Sequence, residues 1–253
     1  MGGQDIADDV NEEIIDILPA DCRAALEALR NGCRAAFGDD LFALYVYGAL
    51  TFPETEGTVD LDYHVILERP PDAGQVQAYV EVCAAMARDH SPSAADLDGW
   101  PILRVEAGRS DPPEHVLHPG VRDGSWALHR AHWLAGRCLV LHGPTPVAVV
   151  VPPSWEELEA DLRGELEFAR RSPADAFAVL NSCRVLHSLL TRNVVVSKFG
   201  SAYWGLAELP PELHATLRAA MAVYRGQATG HDTAMLERGR PVLFEHVEGA
   251  LHL

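Results

Sequence analysis

Residues 47–62, YGALTFPETEGTVDLD, decide the interpretation of this chain. The apolar run that leads into them, LFALYVY, is typical of a buried strand, and it stops at Gly48. Eleven residues then separate Gly48 from Asp60, and Asp62 follows in a second apolar run, LDYHVIL. Because residues two apart on a strand face the same way, we expect Asp60, Asp62 and His64 on one face of the sheet.

Paired carboxylates next to a glycine turn indicate a metal and phosphate site. Two neighbouring carboxylates repel each other unless a cation lies between them. Mg²⁺ prefers hard oxygen ligands and is often shared with nucleotide phosphates. Gly48 allows backbone amides to approach such phosphates closely. The stretch therefore predicts a site for Mg²⁺ and a nucleoside triphosphate, with solvated turn aspartates as the alternative interpretation.

Composition narrows the class of protein. The 253 residues are 48% hydrophobic, which suits one large domain or two modest ones. The formal net charge of −17 argues against a nucleic-acid partner and is compatible with a cationic small molecule or simply an acidic surface. The five scattered cysteines form no CxxC pair, and no apolar run approaches the roughly 18 residues of a membrane span. We therefore expect a cytoplasmic protein with no membrane partner.

The order of sequence patterns predicts two domains. Up to about residue 150 the patterns read helix, strand, strand, helix, strand, helix, strand, and Pro101 indicates that the third strand is an edge or carries a bulge. Ser154 and Glu157 form a capping box after the Pro-rich stretch, and only helical patterns follow. We predict an α/β domain with a mixed sheet at 1–150 and an all-α bundle at 151–253.

Two blocks of the chain resemble one family. YGALTFPETEGTVDLD is similar to the nucleotidyltransferase signature of Gly-Ser, a loop, and Asp-x-Asp at the head of a second strand. Its spacing resembles that of the aminoglycoside (streptomycin and spectinomycin) adenylyltransferases. Residues 181–226, from NSCRVLHSLL to AVYRG, resemble the helical C-terminal domain of that family. The resemblance covers roughly residues 40–228 and implies an antibiotic-resistance enzyme that transfers AMP from ATP to a hydroxyl group of an aminoglycoside or similar antibiotic. We also expect a monomer.

The resemblance also implies roles for particular residues. Nucleotide contacts are carried over to five positions in the loop and the helical domain: Gly48, Ala49, Arg184, Lys198 and Tyr224. Mg²⁺ ligands are carried over to Asp60 and Asp62. The family has a third carboxylate, the base toward the acceptor hydroxyl, which also completes the metal shell.

Three acids are candidates for that third carboxylate. Asp98 in DLDGW is our choice, because it lies where the third strand should begin. Asp96 shares its expected face and is the reserve, and Glu106 is expected at the surface. For the cationic acceptor, Trp126 and Asp175 are the expected contacts.

The chain departs from the family at two loop positions, where Ala49 and Val59 replace serines. The loop would then bind phosphate mainly through backbone amides, bind it less tightly, or not bind it. The alternatives to the enzyme above are therefore a catalytically silent small-molecule-binding protein, or a nucleotidyltransferase for a lincosamide, a sugar metabolite or a protein side chain.

Several other residues have more than one interpretation. His129 and His132 have a spacing that metal sites use, but no third ligand is evident, so solvated or core histidines are favoured. His64 could either pack or hydrogen-bond next to the aspartates. Arg184 lies among apolar residues and needs a partner, either phosphate or an internal acid such as Glu208.

Overall fold

The structure is a computed structural model that describes residues 18, 20–54, 60–90 and 97–251. Contacts divide these residues into two compact units. The first contains the described residues up to Thr51 and those from Asp60 to Pro153, and the second contains Phe52–Glu54 and the described residues from Ser154 onward. The domain boundary at residue 150 stays a prediction of the sequence.

The first unit is built on a four-stranded mixed sheet in the order β3-β2-β1-β4. Strand β1 is antiparallel to β2 and to β4, whereas β2 and β3 are parallel. Pro101 lies in β3, an edge strand, as its sequence predicts. The elements in chain order are α1 (Ala20–Phe37), β1 (Leu41–Tyr47), β2 (Leu61–Leu67), α2 (Ala73–Asp89), β3 (Leu97–Leu103), α3 (Arg104–Ala107), α4 (Trp126–Leu134) and β4 (Leu139–His142).

The two faces of this sheet pack against different helices, because side chains alternate along each strand. One face packs against α1 and α2 in an apolar core that includes Leu29, Val46 and Tyr63. The opposite face packs against α4 through Trp126 and Trp133. This second face carries both Asp62 and His64, so it is the one that positions the candidate site.

The second unit consists of helices: α5 (Trp155–Arg171), α6 (Asp175–Thr191), α7 (Lys198–Glu208), α8 (Pro211–Tyr224) and α9 (Gly230–Leu251). The predicted capping box at the start of α5 is confirmed, since Ser154 and Glu157 bond each other's backbone N–H groups. Helix α6 contacts the four other helices and is buried around most of its circumference, as expected for a central helix. In the described ranges, every helix is too short or too polar to cross a membrane.

Candidate active site

Three polar side chains form a row across the exposed end of the second sheet face. Tyr47 at the end of β1 pairs with Asp62, and Asp62 pairs with Asp98 in the parallel β2–β3 ladder. Neighbouring strands lie roughly 5 Å apart, so the two carboxylates are close neighbours. Asp62 is half-buried and Asp98 is exposed, which leaves this end of the sheet accessible to a cation and a ligand.

Gly48 closes β1 in a conformation that favours glycine. Its φ is +73°, and a 3₁₀ turn, Gly48–Thr51, follows it. The Thr51 hydroxyl donates to the Gly48 carbonyl at 2.9 Å and holds the turn closed. A Cβ atom at position 48 would overlap the Asp62 carboxylate, so the glycine also allows that carboxylate to lie against the backbone.

The other candidate acids lie around this row. Asp60 is exposed and comes one residue before β2, so it lies at the same end of the sheet as Asp62. Glu106 lies beyond the opposite end of β3, in α3. Asp96, Thr58 and Val59 lie outside the described residues.

Directly below the row, His64 joins a buried hydrogen-bonded group that the sequence did not predict. Asp123, which precedes α4, accepts from His64 Nε2 at 3.2 Å and from His129 Nδ1 at 2.8 Å, both through Oδ2. Its Oδ1 accepts from the Ser125 amide at 3.0 Å. Burial alone would raise the pKa of Asp123, but the neighbouring His129 and His64 hold that pKa far below its usual range. The group is therefore organised around a buried anion.

His64, Asp123 and His129 are residue types that bind metals, and their ligand atoms lie within 4.8 Å of one another. In the described ranges, this is the one group of three such residues. Their geometry instead fits hydrogen bonds. If Nε2 of His64 bound a metal, its Nδ1 would carry the proton, and that atom is buried with no partner among the described residues. A buried donor left unbonded is costly, and metal-bound histidines normally bond through the second nitrogen. Burial lowers the pKa of His64, so a neutral ring that donates from Nε2 accounts for its bond to Asp123.

Tyr47 links this buried group to the row of carboxylates. Its ring centroid lies 5.3 Å from that of His64 and 4.7 Å from that of His129. Burial raises the pKa of Tyr47 well above its usual value, and the carboxylates of Asp123, Asp62 and Asp98 raise it further. Tyr47 is therefore a neutral phenol among three acids.

In the second unit, Lys198 lies between aromatic rings. It is the first residue of α7, and its Nζ lies 4.8 Å from the Phe177 ring centroid and 5.6 Å from that of Tyr224. Cation–π contacts of this kind fix the direction of the ammonium group. The N-cap residue Ser197 accepts from the Gly200 amide at 2.8 Å and donates to Glu54 Oε1 at 2.7 Å.

Arg184, on α6, has an internal partner that differs from the one suggested by its sequence. Its guanidinium donates to Glu165 Oε2 at 3.0 Å, and Asn181 donates to the same oxygen at 2.9 Å. Glu208, offered as the internal acid, is therefore the wrong residue. Glu165 lies on α5, and no short-range pattern would pair it with Arg184 on α6.

The two expected acceptor contacts are already engaged within the protein. Trp126 is 1% exposed in the core below the sheet, and its indole N–H donates to the Arg109 carbonyl at 3.0 Å. Its buried side chain is not available to an acceptor in this conformation. Asp175 accepts from Arg240 at 2.6 Å at the start of α6 and remains partly exposed.

Residues 154–239 match the aminoglycoside adenylyltransferase C-terminal domain. This range contains Arg184, Lys198 and Tyr224 of the second unit. The chain also has the fold of spectinomycin adenyltransferase AAD(9) from Enterococcus faecialis, whose crystal structure contains ATP and spectinomycin. The TM-score is 0.73 at 10% identity, over 89% of this chain and 98% of that one. No curated protein matched by sequence. The predicted resemblance and the predicted fold class are both confirmed.

Proposed function

We propose that this protein transfers AMP from ATP to a hydroxyl group of an aminoglycoside or a similar antibiotic. The proposal rests on one observation: Asp62 and Asp98 are paired on neighbouring strands, and the Asp62 carboxylate lies against the Gly48 turn. The adenylyltransferase C-terminal domain at residues 154–239 supports the same chemistry.

The reaction assigns separate roles to the acids. The acceptor hydroxyl oxygen attacks the α-phosphorus of ATP, and the bond between that phosphorus and the pyrophosphate oxygen breaks. Asp98 takes the proton of the hydroxyl group. Asp60 and Asp62 would hold Mg²⁺, which supplies positive charge to the phosphates when it is bound. The residues fit such an ion, because Mg²⁺ commonly uses one or two carboxylates together with substrate phosphates, and these acids offer only hard oxygen donors.

The remaining nucleotide contacts are proposed for the loop and the helical unit. Gly48 and Ala49 would offer backbone amides, since the serine hydroxyl of the family is missing at position 49. The Lys198 ammonium group would bind the phosphates, and the Tyr224 ring would orient the Lys198 side chain through its cation–π contact. Arg184 would contribute the half of its guanidinium that Glu165 does not occupy.

The acceptor is proposed to be a cationic small molecule. The net charge of −17 favours polyamine ligands, and the partly exposed Asp175 remains a candidate contact. Trp126 is buried, so it is not proposed as an acceptor contact. We propose a cytoplasmic monomer that acts on neither nucleic acid nor membrane.

The test is transfer of labelled AMP from ATP in the presence of Mg²⁺ to a panel of aminocyclitols, aminoglycosides and lincosamides. We expect one compound class to be labelled, and Asp60→Asn to abolish the labelling. Ligand binding without turnover, unaffected by Asp60→Asn, would identify a catalytically silent binding protein instead. Ala49, which stands where the family has a serine, favours that outcome.

A further inference from the structure

Asp98 is held by a neighbouring tryptophan. The indole Nε1–H of Trp100 donates to Asp98 Oδ1 at 3.0 Å. The two residues are two apart on β3, so both side chains lie on the same face of the sheet. Asp98 is exposed on an edge strand, where a carboxylate without such a bond would rotate among several rotamers.

The Trp100 ring is in turn held between two histidines. It stacks on His64 with an interplanar angle of 21° and a centroid separation of 6.5 Å. On another side it meets His115 edge-on, at 68° and 5.1 Å. His64 is fixed by its bond to Asp123, as described above.

Both nitrogens of His115 are bonded to the backbone. Its Nε2 donates to the Gly99 carbonyl at 3.3 Å, and its Nδ1 accepts from the Leu117 amide at 3.1 Å. This pair of bonds selects a single neutral tautomer and a single ring orientation. Trp100 is therefore supported from two sides by rings that are themselves fixed.

We propose that Trp100 is a positioning residue for the base Asp98, an inference that rests on the proposed transfer reaction. The indole N–H occupies Oδ1 and so directs Oδ2, which takes the acceptor proton as the hydroxyl oxygen bonds to phosphorus and pyrophosphate leaves. The neighbouring strand pairs Asp62 with Asp98, so the two acids lie side by side on this face of the sheet. Rotation of the carboxylate would move the base away from the reacting hydroxyl, and misplacement by about 1 Å commonly costs roughly 100-fold in rate.

The first test compares two Trp→Phe variants, one in β3 and one in α4, the helix that packs against the same face of the sheet. Trp100→Phe keeps a ring but removes the N–H donor, and we expect kcat to fall by about 10- to 100-fold with little change in the KM for ATP. The matched control is Trp133→Phe, because the Trp133 indole nitrogen has no hydrogen-bond partner among the described residues. The control should keep kcat within about threefold. Wild-type kcat in Trp100→Phe, or a higher KM with unchanged kcat, would overturn the proposal.

The second test does not depend on turnover. The indole N–H resonance of Trp100, identified by its loss in Trp100→Phe, should shift in Asp98→Asn and stay in place in Glu106→Gln. If Trp100→Phe does not fold, Phe variants of the other four tryptophans identify the same peak by elimination. If the chemical shift of the Trp100 indole N–H is unchanged in Asp98→Asn, the proposed contact between Trp100 and Asp98 is rejected. A shifted resonance in a protein that transfers no AMP would reject the proposed function alone.

Discussion

Asp62 and Asp98 are paired in the parallel β2–β3 ladder and lie side by side on one face of the sheet, although 35 residues separate them in the sequence. The next pair on the same face of these strands is His64 with Trp100, and the one after it on that face is Ile66 with Ile102. This face of the sheet therefore changes from acidic to aromatic to aliphatic within three rows. The aliphatic pair lies in the buried core, and the acidic pair lies at the opposite, solvent-accessible end of the face.

Asp98→Asn should lower the rate of AMP transfer by about 10²- to 10⁴-fold, since an amide cannot take the proton from the hydroxyl group of the substrate. ATP binding should persist, because Asp60 and Asp62 are unchanged. Rapid-quench transfer assays and calorimetric titration with Mg²⁺–ATP would measure the two effects. Glu106→Gln, at the far end of β3, is the control. Full activity in Asp98→Asn would place the base elsewhere, with Asp96 as the next candidate.

Gly48→Ala should harm both stability and the site. The left-handed φ of +73° costs a residue with a Cβ about 1–2 kcal/mol, and the new Cβ would displace the Asp62 carboxylate. Gly136→Ala is a matched control, since Gly136 has a φ of +79° but open space around a new Cβ. Urea unfolding should detect a loss in both variants, and weaker Mg²⁺–ATP binding only at position 48. Equal ligand affinity in the two variants would contradict the packing of Asp62 against Gly48.

Lys198→Met should reduce the rise in melting temperature caused by Mg²⁺–ATP, because it keeps an unbranched stem near Phe177 and Tyr224 but removes the charge. Transfer should fall by roughly 10²- to 10³-fold if that charge stabilises the transition state. Arg192→Met is the control, because Arg192 also makes a cation–π contact in this unit, 5.1 Å from the Trp155 ring centroid. Identical ATP-induced shifts in both variants would remove Lys198 from the proposed site.

Glu165→Gln should destabilise the second unit by about 1–3 kcal/mol, since it weakens the charged partner of the half-buried Arg184. Chemical denaturation measures this loss. Arg184→Met should cost a similar amount of stability and, under the proposed function, should also weaken ATP binding. If both variants bind ATP with wild-type affinity, the role of Arg184 is confined to the Arg184–Glu165 bridge.

Acid should destabilise the first unit through His64. Burial lowers its pKa in the folded protein, so the unfolded chain binds the proton more readily. The contribution of a neutral His64 to stability is therefore complete above the unfolded pKa of about 6.5 and is lost as the pH falls below that value. His64→Gln retains an N–H donor for Asp123 and should flatten the dependence of the unfolding free energy on pH between pH 7 and 5. His231→Gln, on the exposed surface, is the control. An unchanged slope in His64→Gln would show that His64 is not responsible.

The sequence by itself determined the elements and their order. Periodic apolar residues defined α1, β1, β2 and α2, and Pro101 correctly indicated an edge strand, because these signals depend on neighbours a few residues apart. The capping box at Ser154 is equally local. The motif at residues 47–62 also identified the end of the sheet at which the acids gather.

Only the tertiary structure decided which distant residues meet. Asp123 accepts from His64, Glu165 accepts from Arg184, and the Trp100 ring packs against His64 and His115. Trp126, expected at a ligand, is buried instead. Such contacts depend on strand register and on helix packing, which bring together side chains from different elements, and no short-range pattern in a single sequence specifies them.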